Sequence, residues 1–149
     1  MRCVVQRVAE ATVTVENETV GTIGPGILAL IGVAREDGEK DLKYIQDKVA
    51  HLRIFDDENG VMNRSLQEAG GSILAVSQFT LYGDARGGRR PSYFRAAPPE
   101  EANQLYERLV TAWRAMGIPV ETGRFRAEMK VSLINDGPVT ILLDSEKTF

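Results

Sequence analysis

Cysteine and histidine are nearly absent: the 149 residues include one of each, Cys3 and His51. A lone cysteine excludes an internal disulfide and fits a reducing cytoplasm. Cys3 is expected to be a small core residue rather than a nucleophile. One histidine and one cysteine fall short of the three or four N/S ligands a zinc site usually takes, so no metal and no cofactor is expected. A Ser-His-Asp or Cys-His arrangement would have to use His51, which sits in a predicted helix among core positions, where packing or solvation is its expected role. Long apolar runs are missing as well. None approaches the roughly 20 residues of a membrane span, and Met1-Arg2-Cys3-Val4-Val5-Gln6-Arg7 turns polar too soon for a secretory signal. A cytoplasmic protein without a membrane partner is the expectation. Positive charge is also short, with 18 Lys+Arg against 21 Asp+Glu and a net charge of −3. General nucleic-acid binding needs a broad cationic face, so any RNA contact must be local. With no repeat, linker or low-complexity segment, residues 1–149 read as one domain large enough for a real core.

What is present is first of all β-structure. Val4, Val5 and Val8 form one strand, and Ala11, Val13 and Val15 alternate with Thr12 and Thr14 at the period of a half-buried strand. Glu16-Asn17-Glu18 turns the chain, and Thr19 to Ile23 returns it as a hairpin. Ile27-Leu28-Ala29-Leu30-Ile31-Gly32-Val33 is continuous enough to be a buried strand. The glycines before it run G-x-x-G-x-G and precede a strand instead of a helix, unlike a dinucleotide fingerprint.

Two helices follow from 3.6-residue periodicity. Over Glu39–Leu52, Leu42, Ile45, Val49 and Leu52 fall on one stripe. The second starts at Pro98-Pro99-Glu100-Glu101, where its first turn tolerates proline and acids. Its stripe is Ala102, Leu105, Tyr106, Leu109, Val110, Trp113 and Met116, and Gly117 ends it. Between the helices, Asp56-Asp57-Glu58-Asn59-Gly60 allows a carboxylate site, but Asn-Gly between apolar segments matches a tight hairpin turn better. Val61-Met62-Asn63 is its return strand. Ile118–Thr122, Met129–Ile134 and Val139–Leu143 complete the strands. Asn135-Asp136-Gly137-Pro138 reads as a turn, and the dipeptide alone favours a trans Gly137–Pro138 bond. The expected architecture is a single α+β domain of many strands with two main helices.

The stretch around which the chain is organised is Ser77-Gln78-Phe79-Thr80-Leu81-Tyr82-Gly83-Asp84, at the end of the apolar run Ser72-Ile73-Leu74-Ala75-Val76; between Gly70-Gly71 and Gly83-Asp84 it reads as one buried strand. Ser77, Gln78 and Thr80 inside it must be hydrogen-bonded or pay for lost hydration. Either they pair with neighbouring strands, or the strand ends in a pocket where its hydroxyls and backbone N–H groups face a substrate. Next comes Ala85–Arg95, where Arg86, Arg89, Arg90 and Arg95 stand among two glycines, Tyr93 and Phe94. This is a solvated loop, or a site where arginines contact phosphate and Tyr93 or Phe94 stacks on a base or ribose.

Taken together, Met1–Val8, Val20-Gly21-Thr22-Ile23-Gly24, Leu52-Arg53-Ile54-Phe55, Ser77-Gln78-Phe79-Thr80-Leu81, Arg90-Pro91-Ser92 and Asn135-Asp136-Gly137-Pro138-Val139-Thr140 resemble the D-aminoacyl-tRNA deacylases along essentially the whole chain. Two positions depart from that pattern: Gly83, usually alanine, and Arg126, typically glycine. The resemblance implies a homodimeric, barrel-like α+β fold with an antiparallel or mixed sheet, which hydrolyses the ester between a D-amino acid and the 3′-terminal adenosine of tRNA. It implies that Ser77, Gln78, Phe79 and Thr80 form the catalytic strand. It further implies that Gly137-Pro138 is cis, enters the partner subunit's site, senses chirality and is braced by Arg7. Arg86, Arg89 and Arg90 are the candidate tRNA contacts. An aminoacyl ester is already activated, so positioned water and backbone oxyanion donors at Phe79 and Thr80 would suffice. Water oriented by the 2′-OH of the ribose competes with Thr80 as nucleophile, which would need an adjacent base. The alternatives are a sibling deacylase that removes L-alanine from the wrong tRNA, a non-catalytic module holding RNA 3′ ends, and a structural dimer.

Overall fold

A computed structural model describes residues 1–149. The chain runs β1 (Arg2–Val15), β2 (Glu18–Ile23), β3 (Gly26–Gly32), α1 (Glu39–His51), β4 (Phe55–Asp56), β5 (Met62–Arg64), α2 (Leu66–Ala69), β6 (Ser72–Ser77), a 3-10 turn (Phe79–Tyr82), α3 (Pro99–Ala115), β7 (Val120–Thr122) and β8 (Lys130–Asp144). The main sheet is mixed, in the order β2-β1-β3-β6-β7, with β8 also paired to β1. β3–β6 and β6–β7 are parallel, and β1 is antiparallel to β2, β3 and β8. The two segments expected around Val4–Val8 and Ala11–Val15 are one 14-residue strand. Its first half lies against β3 and its second against β2, while β8 follows both.

The sheet curls until β2 comes up against β7, and Gly21 sets the distance. A Cβ there would sit 2.4 Å from the Thr122 carbonyl oxygen. Only glycine permits that approach, and the result is a nearly closed barrel.

Because side chains alternate across a strand, the buried strands feed two cores. Ile27, Ala29 and Ile31 of β3 and Ile73 and Ala75 of β6 face the layer covered by α1 and α3. Leu28 of β3 and Leu74 and Val76 of β6 turn inward to meet Val8, Ala11 and Val13 of β1 inside the barrel. The uninterrupted apolar reading of residues 27–33 reflects burial on both faces. In α1, Leu42, Ile45 and Val49 are buried as their spacing requires. Trp113 of α3 is fully buried, and its indole N–H donates to the Gln46 carbonyl at 3.2 Å. Cys3 is fully buried, and burial pushes its thiol pKa up, away from thiolate chemistry.

Three expectations change. His51 ends α1 on the exposed side rather than among core positions, its Nδ1 2.8 Å from the Asp47 carbonyl oxygen. The segments at 129–134 and 139–143 are one strand, β8, which runs straight through Asn135–Pro138. The stretch Ser72–Leu81 is not one strand either: β6 stops at Ser77 and a 3-10 turn begins at Phe79. The acidic run at Asp56–Gly60 forms the expected hairpin turn. The Asp57 carboxylate accepts the N–H groups of Asn59 and Val61 at 2.9 and 3.0 Å, and Gly60 has φ +75°.

Candidate active site

The break after Ser77 has a local cause. The Gln78 N–H still bonds across to the Ile31 carbonyl at 2.7 Å, but its ψ of 81° turns the chain out of the sheet. Tyr82 then anchors the turn by packing with Ala34 and Ala96. The N–H groups of Phe79 and Thr80 open this turn and so have no intrahelical acceptor. They stand beside a cavity of about 700 Å³ lined by Ser77, Gln78, Phe79 and Thr80. All four predicted catalytic residues therefore line one cleft. The Gln78 side-chain amide is 2.6 Å from the Thr80 hydroxyl.

The rest of the lining is mostly apolar. Val33, Ala96, Ala97 and Pro98 form one side, and Phe125, Ala127, Met129 and Val131 another. Tyr93 packs edge-on against Phe79, ring centroids 5.1 Å apart. No Asp, Glu, His or Cys lines the cavity, and its cationic groups are Arg35 and Arg126. Such a site can bind and orient an uncharged or anionic ligand and donate hydrogen bonds from backbone N–H groups. It has no side-chain carboxylate, imidazole or thiolate to serve as general base.

Gly137 and Pro138 are not part of this cavity. Gln6 pairs with Thr140 and Val8 with Asn135, so Arg7 alone stands opposite Asp136–Val139. The turn signal marks a bulge within a strand, because pairing with β1 on both sides holds the two halves in line. The bulge is held from both ends. Arg7 donates from Nε to the Asp136 carbonyl at 2.8 Å and from Nη1 to the Ile54 carbonyl at 2.7 Å. Asn135 Oδ1 accepts the Val139 N–H at 2.7 Å, while its Nδ2 donates to the Val139 carbonyl and the Thr140 hydroxyl. Gly137 has φ +141°, and a Cβ there would lie 3.0 Å from the Val139 nitrogen. The Gly137–Pro138 bond is cis, the isomer that the resemblance implies and not the one favoured by the dipeptide alone. Asp136, Gly137 and Pro138 are all exposed.

Arg7 pairs with Ile27 and Ile27 with Ile73, whereas the cavity begins at Val76. Three residues of strand put the bulge and the nearest part of the cleft of one chain at levels roughly 10 Å apart along β6.

The arginine loop is closed at its base by paired backbone bonds between Asp84 and Ser92, at 2.8 and 2.9 Å. Arg89 and Arg90 are exposed on it. Arg86 differs: its guanidinium grips the Asp84 carboxylate at 2.9 and 2.7 Å, and this hydrogen bonding holds the Asp84 carboxyl well below the usual range. Of the three predicted tRNA contacts, Arg86 is thus committed within the loop.

Reading the sequence misses Arg35, Phe125 and Met129 as lining residues, since only the fold brings them to the cleft. Arg126 is signalled by its departure from the glycine pattern. It holds φ +64°, the left-handed region glycine adopts freely. The glycine-like backbone is retained, and a cation is placed in the cavity wall.

Fold and site together define a class: a small mixed-barrel protein with a largely apolar cleft that holds hydrogen-bond donors but no side-chain carboxylate, imidazole or thiol. The family model described as D-Tyr-tRNA(Tyr) deacylase matches residues 4–144, and the chain belongs to that family. It is 64% identical over 149 residues to a D-aminoacyl-tRNA deacylase of Symbiobacterium thermophilum, covering 100% of this chain and 99% of the relative. Identity to the D-aminoacyl-tRNA deacylase of Desulfitobacterium hafniense strain DSM 10664 / DCB-2 is 60%, over 100% of both chains. Among solved structures, it is similar to a c-Myc DNA unwinding element binding protein, with TM-score 0.92, 40% identity and coverage of 97% of this chain and 98% of that one. A probable eukaryotic D-amino acid tRNA deacylase shares the fold, with TM-score 0.79 at 20% identity over 95% of this chain and 97% of that one.

Proposed function

We propose that the protein hydrolyses the ester joining a D-amino acid to the 3′-terminal adenosine of tRNA, with a site completed by a second copy of the chain. The observation that carries this reading is a cleft furnished with backbone donors and free of carboxylate, imidazole and thiol groups. Such a site suits an ester that is already activated. Water attacks the ester carbonyl, and the negative charge that develops on its oxygen is received by the N–H groups of Phe79 and Thr80. The bond to the ribose oxygen breaks, a proton from the attacking water passes to that oxygen, and a D-amino acid and free tRNA leave. The neighbouring 2′-OH orients the water, so the nucleic acid supplies what the protein lacks. Ser77 and Gln78 position the aminoacyl end.

Chirality selection is assigned to the Gly137-Pro138 bulge of the partner subunit. Support comes from its position: it is exposed, clamped by Arg7 and Asn135, and absent from the lining of its own chain's cleft. Main-chain atoms packed against the substrate α-carbon leave no room on the side where an L side chain projects. Overlap of that kind discriminates more strongly than one methylene contact, which is worth about 1–3 kcal/mol. Glycyl-tRNA, with no side chain to clash, is a substrate too. Arg89 and Arg90 contact the tRNA backbone, and the protein acts in the cytoplasm.

The test is to incubate the purified protein with D-tyrosyl-tRNA and with L-tyrosyl-tRNA and quantify the released amino acid. Rapid release from the D ester and little from the L ester is the expected result. Comparable cleavage of the L ester would overturn the assignment.

A further inference from the structure

Tyr93 and Phe94 are adjacent aromatics in the arginine loop, and the fold sends them to different places. Tyr93 lines the cleft and packs on Phe79. Phe94 is outside the lining, 75% exposed, the largest exposure among the big apolar side chains. It is nonetheless held in position. The Arg35 guanidinium lies over its ring, 4.9 Å from the centroid, and Arg35 Nε also donates to the Phe94 carbonyl. Arg35 is itself a wall of the cleft. One face of the Phe94 ring is thus covered by a cation and the rest is open to solvent, beside two residues of the cavity lining, Arg35 and Tyr93.

We infer that the Arg35–Phe94 pair is a stacking shelf for the base immediately 5′ of the terminal adenosine, a further nucleotide subsite of the deacylase. This rests on the deacylase reading above. A cavity of about 700 Å³ falls within the roughly 300–1,000 Å³ that encloses a single small ligand. It takes the terminal adenosine with its aminoacyl group, and the preceding nucleotide must lie outside. The strand leaving the cleft passes a rim with Arg35 and Arg126 and no acid in the lining, which suits a phosphate. An exposed aromatic face beside that phosphate suits a base, since stacking is tolerant of base identity. Charge complementarity with an anionic strand favours this occupant over an apolar protein segment.

The experiment compares three probes: D-tyrosyl-adenosine, D-tyrosyl-CpA and D-tyrosyl-tRNA. Wild type is measured beside Phe94→Ala, Phe94→Leu and Phe94→Trp. Base–aromatic stacking measured by alanine substitution corresponds to a loss on the order of tenfold. Phe94→Ala and Phe94→Leu are expected to lose about that factor in kcat/KM, through KM, on D-tyrosyl-CpA and D-tyrosyl-tRNA. Neither changes the rate on D-tyrosyl-adenosine, which has no 5′ nucleotide, and Phe94→Trp restores the two longer probes. Equal losses on all three probes, no loss on any, or rescue by leucine would overturn the shelf. Wild-type protein inert on all three would instead overturn the deacylase reading.

Discussion

At the scale of single residues, the decisive feature is what the Thr80 hydroxyl touches. Its neighbour at 2.6 Å is the Gln78 amide nitrogen, a donor that has no lone pair with which to take a proton. A threonine nucleophile needs an adjacent base, and this amide cannot serve. Thr80→Ala is therefore expected to keep single-turnover hydrolysis of D-tyrosyl-tRNA, because the backbone donors and the ribose 2′-OH remain. A fall to the uncatalysed rate would make Thr80 the nucleophile. The same reasoning separates the one imidazole from the chemistry. His51 is exposed at the end of α1, against the Asp47 carbonyl, and does not line the cleft. His51 is then no source of a change of rate near neutral pH. The kcat/KM profile of His51→Ala should superimpose on wild type at every pH, and a flattened or displaced profile would return His51 to the mechanism.

At the scale of elements, the bulge in β8 is a loop made rigid by side chains. Asn135 makes hydrogen bonds to both the N–H and the carbonyl of Val139, and Arg7 holds the Asp136 carbonyl from the opposite strand. A typical intramolecular bond contributes about 1 kcal/mol net, and one from a charged group about 1.5–3. Asn135→Ala and Arg7→Ala should each leave β1 and β8 paired, as read by far-UV circular dichroism. Each should lower the ratio of D- to L-tyrosyl-tRNA cleavage by roughly tenfold. An unchanged ratio in both variants would remove the bulge from chirality selection. The bulge also marks where legibility in the sequence ends. The stripes of α1 and α3, the doubly buried β3 and the Asn59-Gly60 turn were legible because each is decided by neighbours in sequence. Asn135-Asp136-Gly137-Pro138 carries the local chemistry of a turn, but pairing of Val8 with Asn135 and Gln6 with Thr140 overrides it. The strand break at Gln78 likewise depends on a bond to Ile31 and on burial of Tyr82, neither of which a local pattern reports. Ser77, Gln78 and Thr80 drew notice because polar residues at the end of an apolar run call for partners, whereas grouping them with Phe79 as catalytic came only from the resemblance. Arg35 and Met129 reach the same cleft only through topology.

At the scale of the whole molecule, the proposed site needs a cleft and a bulge that one chain keeps apart. The cleft lies at the Ser77 end of β6, while the bulge sits at the level of Ile73 on the other side of β1. A two-fold dimer resolves this geometry if each bulge enters the other protomer's cleft, since an isologous interface makes both exchanges at once. Complementation tests that arrangement directly. Thr80→Trp places a bulky ring in the cleft from an exposed position. Gly137→Val drives a side chain into Val139, whose nearest atom would be 2.8 Å from the new Cβ, and displaces the bulge. Neither variant alone is expected to hydrolyse the D ester selectively: Thr80→Trp blocks the cleft, and Gly137→Val cleaves D- and L-tyrosyl-tRNA alike. Co-expressed in equal amounts they form mixed dimers, in which the Gly137→Val protomer offers an intact cleft to the intact bulge of the Thr80→Trp protomer. About a quarter of wild-type D-selective sites should return, since half the dimers are mixed and each has one good site. If cleft and bulge served the same chain, every site in the mixture would carry one defect and no D-selective site would return, whatever the degree of mixing.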